Sequence, residues 1–223
     1  MDKLTQGVEE YLEAIFKLQR GEEPLTARRL ADELAVSPPS VSEMLARLRA
    51  AGFVTPADEG IALTAQGEAE GARLVRRHRL SERFLVDYLG MPWDAVHDEA
   101  CKFEHVLSPE VEARLAEQLG DPRTCPHGHA IPDEHGSLAE EELRPLSQFD
   151  PGEAGVIGCI AEESTDLLRY LGSLGLLPDT PVEVESVAPF GGPVLVRVGG
   201  SQYALGREVA GKIMVRGGWP LRS

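Results

Sequence analysis

Apolar residues recur at helical period over Tyr11, Leu12, Ile15, Phe16 and Leu18, and Gly21 to Pro24 breaks the run. Thr26 caps a second helix, Ala27 to Leu34. After a turn at Ala35-Val36, Ser37-Pro38-Pro39-Ser40 opens a third, whose Val41, Leu45 and Leu48 face inward. Two prolines are tolerated there because the first N–H groups of a helix have no intrahelical partner. Gly52 ends this helix. Phe53-Val54-Thr55-Pro56 and Gly60-Ile61-Ala62-Leu63-Thr64 flank Ala57-Asp58-Glu59 as a short hairpin. A long helix then runs from Thr64 toward Arg79, its apolar face continuing through Phe84, Leu85, Tyr88 and Leu89 until Gly90-Met91-Pro92. Trp93 to Val106 forms the next helix, and Ser108-Pro109-Glu110 caps another marked by Val111, Leu115 and Leu119. Residues 120–132 are irregular, and Pro132 to Glu142, with five acidic residues, is a solvated linker.

From Leu146 the pattern changes to strands. Val182, Val184 and Val187 alternate, then Val194, Val196 and Val198, around the hairpin Pro189-Phe190-Gly191-Gly192-Pro193; Tyr203 to Val215 supplies two more short segments. Ser164 to Leu171 is a helix. The expected architecture is α+β: a winged helix-turn-helix over 1–73, a helical domain over 74–130, a linker over 131–146 and a small strand-rich domain over 147–223.

In a winged helix-turn-helix the later helix enters the major groove with its N-terminal residues toward base edges. Ser37, Pro39, Ser40, Ser42 and Glu43 are the candidates for that contact, and Arg28, Arg47 and Arg49 for phosphate. Glu43 can accept from cytosine N4 but repels phosphate. Ser37 and Ser40 serve equally well as helix caps.

Net charge bears on this reading. The chain of 223 residues carries −15, which looks wrong for a partner of DNA. Residues 1–79, however, hold 11 Lys+Arg against 13 Asp+Glu, leaving 11 against 24 for residues 80–223. The acid lies outside the reading domain, so local arginines must supply the phosphate contacts, and bound cations would neutralise carboxylates elsewhere. The N-terminus has no apolar leader and no run suffices for a membrane span, which predicts a cytoplasmic protein. Three widely spaced cysteines, Cys101, Cys125 and Cys159, argue against a disulfide framework.

The densest chemistry is His97-Asp98-Glu99-Ala100-Cys101-Lys102-Phe103-Glu104-His105. His97, Cys101 and His105 are four apart and Glu104 lies three after Cys101, so a helix gathers all four on one face. His78 with Glu82, and Glu10 with Glu13, make two further helical pairs. Nitrogen, sulfur and oxygen donors together point to a metal. The segment Cys125-Pro126-His127-Gly128-His129 fits no common structural zinc spacing and reads as loop.

These residues, with His78-Arg79-Leu80-Ser81-Glu82-Arg83, resemble the diphtheria-toxin-repressor family of metal-dependent transcriptional regulators, nearly end to end. Leu174-Gly175-Leu176-Leu177-Pro178-Asp179 and Ala204-Leu205-Gly206 resemble the SH3-like domain of ferrous-transport A type. The resemblance implies a primary site of Glu10 (Met in the iron-responsive branch), Cys101, Glu104 and His105, and an ancillary site of His78, Glu82 and His97. Glu10 and Glu13 match the acidic residues of the manganese-responsive branch, which has Glu where Cys101 stands. Counting places Ser164 and Leu167 where iron-type relatives have further donors; Glu162, Glu163 or Asp166 could substitute. The resemblance also implies a homodimer on palindromic double-stranded operator DNA, repression of metal-uptake genes, Mn(II) as first effector, Fe(II) as second and other divalent transition metals in vitro. A metallohydrolase would need an open coordination position and a positioned base, and no H-E-x-x-H run supplies them, so no enzyme is expected. A winged-helix regulator answering to a non-metal effector is the remaining alternative.

Overall fold

Helix α1 (Gln6–Leu18) forms where the apolar stripe lies, and it buries Leu12, Ile15 and Phe16 on one face. The computed structural model describes residues 4–21, 24–57, 60–139 and 141–217. Two units make up the chain: residues to Ser81 with Cys101–Gln118 and Ile131–Leu138, and Glu82–Ala100 with Leu119–Ala130 and Ala139 onward.

In the first unit, Thr26 caps α2 (Ala27–Glu33) by accepting from the Arg29 N–H at 3.2 Å. Ser37 caps α3 (Pro38–Ala50), which turns Val41, Leu45 and Leu48 into the core with α1. Gly52, at φ +79°, supplies the left-handed residue that ends it. Strands β1 (Val54–Ala57) and β2 (Gly60–Leu63) pair antiparallel, with Val54 opposite Leu63. Asp58 and Glu59, expected at the hairpin tip, lie outside the described residues, as do Met1 to Lys3 and the Glu22-Glu23 pair of the first break.

Helix α4 (Ala65–Asp87) is one long element, capped by Thr64, whose hydroxyl accepts from the Gly67 N–H at 3.1 Å. α5 (His97–Glu104) is shorter than the expected Trp93 to Val106 helix. The reason is local: Pro92 to Ala95 closes as a turn, with the Ala95 N–H on the Pro92 carbonyl at 3.0 Å, and the chain leaves the helix in a second turn at His105-Val106. α6 (Pro109–Gln118) carries Glu112, whose carboxylate joins Arg77 of α4 at 2.7 Å.

The second unit holds a six-stranded antiparallel sheet in the order β3-β8-β4-β5-β6-β7. Its strands are β3 (Arg144–Pro145), β4 (Ala154–Ile160), β5 (Pro181–Val187), β6 (Val194–Val198), β7 (Ser201–Leu205) and β8 (Ile213–Gly217). Val182, Val184, Val194, Val196 and Val198 point inward, against Leu168 and Leu171 of α7 (Thr165–Ser173). Tyr203 to Val215, expected as two strands, is interrupted by α8 (Arg207–Lys212), which buries Ala210. Val209 and Ile213 stand four apart, a spacing that serves a helix as well as a strand pattern does.

Candidate metal centres

The first unit gathers six donors from α1, α4 and the end of α5. On α1 the buried pair is Glu9 and Glu13, one turn apart. Glu10, expected as the ligand, is exposed and holds the Gln6 amide at 3.0 Å; the helix register turns Glu9 inward in its place. His78 sets Nδ1 2.5 Å from Glu104 Oε2 and 3.9 Å from both Glu13 Oε1 and Cys101 Sγ. His105 lies between Glu9, at 2.7 Å, and Glu104, at 3.4 Å. Glu13, His78 and Glu104 are all buried, with one ligand atom each within 4.8 Å of the others. Donors that surround one divalent ion at about 2.0–2.3 Å stand at such separations, so this donor set fits a metal.

Its charges are already arranged for one. Burial favours neutral carboxyls. At Glu13, Lys17 and His78 outweigh burial and hold the group down at about 2. At Glu104, burial outweighs the hydrogen bond to His78 and pushes the group up to about 8. The two titrate as a pair, one ionised and one holding a proton that a cation must displace.

A second cluster lies in the other unit. Glu82, Cys125, His127 and Glu163 offer ligand atoms within 4.8 Å of one another. His127 Nδ1 is 3.3 Å from Glu82, 3.5 Å from Glu163 and 4.0 Å from Cys125 Sγ. Its Nε2 donates to the Trp93 carbonyl at 2.8 Å, which leaves Nδ1 aimed at the cluster. His97 stands 3.1 Å from Glu163 and 3.6 Å from Glu82, and His129 3.3 Å from Glu163. Burial opposes charge on His127, yet Cys125, Glu163 and Glu82 raise it to about 12. Burial pushes the Cys125 thiol up. Glu163 is half-buried, which favours its neutral form, but His127 and His97 hold it well below the usual carboxylate range. This set of nitrogen, oxygen and sulfur also fits a metal.

A tight turn builds this cluster. The Cys125 N–H donates to the His129 carbonyl and the Gly128 N–H to that of Cys125, each at 2.9 Å. Gly128 has φ +91°, and a Cβ there would stand 2.0 Å from the Gly158 carbonyl of β4. The Ile160 N–H then ties the strand to the His127 carbonyl at 3.1 Å.

Among the sequence candidates, Cys101, Glu104 and His105 lie in the first unit with His78 and Glu13, and His97 lies in the second with Glu82 and Glu163. Asp166 is fully exposed beside Arg169, and Glu162 pairs with Lys212 at 2.7 Å, so of the late acidic residues Glu163 alone reaches the cluster. Cys125, His127 and His129, read as loop, are gathered with Glu82 and Glu163. Their spacing gave no sign because the partners come from α4 and from the segment between β4 and α7.

The recognition candidates share the α3 surface. Ser37, Pro39, Ser40, Ser42, Glu43, Arg47 and Arg49 are all exposed, and Arg28 is exposed on α2. Ser37 and Ser40 meet at 2.9 Å in the cap, and Ser42 donates to the Pro38 carbonyl at 3.1 Å.

Residues 3–60 match the iron dependent repressor N-terminal DNA binding domain, residues 64–133 the iron dependent repressor metal binding and dimerisation domain, and residues 144–217 the FeoA domain. Over 229 residues the chain is 35% identical to the iron-dependent repressor IdeR of Mycobacterium leprae (strain TN), covering 96% of this chain and 99% of that one. The chain belongs to the iron-dependent repressor family. It is also 42% identical over 134 residues to the diphtheria toxin repressor of Corynebacterium diphtheriae, 59% of each chain. A manganese-dependent transcriptional repressor in complex with manganese matches with a TM-score of 0.89 and 33% identity, over 94% of this chain and 99% of that one. IdeR of T. acidophilum matches with a TM-score of 0.79 and 29% identity, over 98% and 100%. As a member of the repressor family, the chain is a metal-dependent, DNA-binding transcriptional regulator with an N-terminal helix-turn-helix domain, a helical dimerisation domain and a C-terminal SH3-like FeoA domain. No helix among the described residues is long and apolar enough to cross a membrane.

Proposed function

We propose that this repressor-family chain senses manganese first and ferrous iron second, and that metal loading lets a homodimer grip a palindromic operator and repress metal-uptake genes. The observation that carries the reading is the buried trio Glu13, His78 and Glu104 in the unit that also holds α3. The ligands we assign are Glu9, Glu13, His78, Cys101, Glu104 and His105 in the first centre. Glu82, Cys125, His127 and Glu163 hold the second, with His97 and His129 beside them.

A bound ion supplies the positive charge that these desolvated carboxylates lack. Glu9 and Glu13 belong to α1, and α1 shares its core with Val41, Leu45 and Leu48 of α3. Fixing those carboxylates fixes the platform on which the recognition helix sits. Three carboxylates against one thiolate make the first centre oxygen-rich, which suits manganese and ferrous iron. The second centre, with more nitrogen, favours softer ions. Because raw affinity rises from manganese toward zinc, ligand number and geometry in the first centre must carry the selectivity.

Gel shift of operator-containing DNA against manganese, ferrous iron, zinc and cobalt tests this. We expect no shift in excess chelator and the steepest gain in affinity with manganese at the first centre. Full binding in chelator, unchanged by added metal, overturns the reading.

A further inference from the structure

α1 brings a cation of its own into the first centre. Lys17 follows Glu13 by one helical turn and sets Nζ 2.7 Å from Glu13 Oε1. That same oxygen faces His78 Nδ1 at 3.9 Å, inside the trio with Glu104. The Lys17 side chain is 28% exposed and that of Glu13 only 10%, so a flexible stem reaches from solvent to a carboxylate stripped of most of its water. A surface pair at this spacing contributes little. Here one end is desolvated, and a buried carboxylate needs a counter-charge.

We propose that Lys17 is a tethered stand-in for the metal: its ammonium neutralises Glu13 when the first centre is empty, competes with the incoming ion for Oε1, and so raises the metal concentration at which that centre fills. The proposal rests on the assignment of Glu13, His78 and Glu104 as metal ligands. No covalent bond of the protein is made or broken in the exchange: a metal–oxygen contact replaces the ammonium–carboxylate ion pair. The ion takes the carboxylate oxygen, and the ammonium, keeping its proton, swings to solvent on its four-carbon stem. An ammonium and a dication on one oxygen repel each other, so the two states exclude one another.

Two consequences set this role apart from simple helix support. The empty protein gains stability from Lys17 while the loaded protein does not. And because the displaced group is the same whichever ion arrives, manganese, iron and zinc affinities shift by a common factor, with their ratios unchanged.

The test is competition of full-length protein with a fluorescent chelator for manganese and for zinc, together with thermal unfolding of empty and manganese-saturated protein. The variants are Lys17→Met, Lys17→Gln, Glu13→Gln and the Lys17→Met/Glu13→Gln double. We expect both Lys17 variants to bind manganese and zinc several-fold more tightly by the same factor, to melt earlier when empty, and to melt like the parent when loaded. In the Glu13→Gln background Lys17→Met adds nothing. If Glu13→Gln weakens metal binding but the Lys17 variants bind no more tightly than the parent, the stand-in role is overturned while the ligand assignment stands. If Glu13→Gln leaves every binding phase intact, both are overturned.

Discussion

Nδ1 of His105 lies 2.7 Å from Oε2 of Glu9, a pairing across 96 positions of sequence. It closes the first centre between its earliest and latest donors, and it reaches a helix whose other side packs in the core shared with α3. A change of charge at this contact therefore acts on the element that carries the DNA-reading surface.

Glu9 and Glu10 provide the sharpest test of register. Glu9→Gln should weaken manganese binding by about tenfold or more, as loss of a ligand or its orienting partner does. Glu10→Gln, at an exposed position, should leave affinity within error of the parent. Chelator competition on the two variants decides; a larger loss from Glu10→Gln would restore the register expected from sequence.

Proton linkage at Glu104 has a definite sign. Its carboxyl titrates near about 8 in the folded chain against an ordinary 4.5, so the stability it contributes to the metal-free protein is full below 4.5 and is lost as pH rises through about 8. Metal needs the ionised form, so affinity should climb over the same window and binding should release a proton. Calorimetry in buffers of different ionisation enthalpy measures that proton. Glu104→Gln should flatten the fall in metal-free melting temperature; an unchanged slope would show that another group carries it.

His127 is expected to serve both metal and fold. His127→Ala should lose the second centre's ion and keep the first, read as metal per chain by elemental analysis. It also leaves Glu82 and Glu163 without their central cation, at a cost of about 3 kcal/mol or more in the metal-free protein, measured by denaturant unfolding. Loss of both ions together would contradict two separately assembled centres.

Gly128→Ala forces a Cβ against the Gly158 carbonyl in a left-handed backbone, whereas Gly152, at φ +88°, has open space around its Cβ position. The first substitution should destabilise by more than the roughly 1–3 kcal/mol of backbone strain alone, and should lower metal retention in the second centre. Gly152→Ala should cost only the strain. Equal melting temperatures for the two would rule out the clash.

Arg47→Ala should weaken operator and random DNA alike and reduce the salt slope of binding by about 1. Anisotropy titrations at several salt concentrations measure it. A selective loss for operator would instead mark Arg47 as a base reader.

Helix periodicity made the reading domain legible. The caps at Thr26 and Ser37, the glycine stop at Gly52 and the valine alternation of β5 and β6 are local signals, and local interactions produce those features. The metal centres were legible in residue type and illegible in grouping. Glu9 and Glu10 are adjacent carboxylates, and only the packing of α1 decides which one turns inward. His97 and Cys101 share a helix and a spacing, yet they fall in different units. Cys125 and His127 draw meaning from Glu82 and Glu163, each more than thirty residues away, and no motif length spans that gap. α8 was hidden because Val209, Ile213 and Val215 satisfy two periods at once.

The turn around Gly128, braced against Gly158 and Ile160, has a consequence for chain length. Cut after Gln118, the sequence would keep Glu9, Glu13, His78, Cys101, Glu104 and His105, the whole donor set of the first centre. Of the second it would keep only Glu82 and His97. On the proposed assignment, one donor set is thus encoded in the first half of the chain, while the other needs a chain that continues past β4 to Glu163.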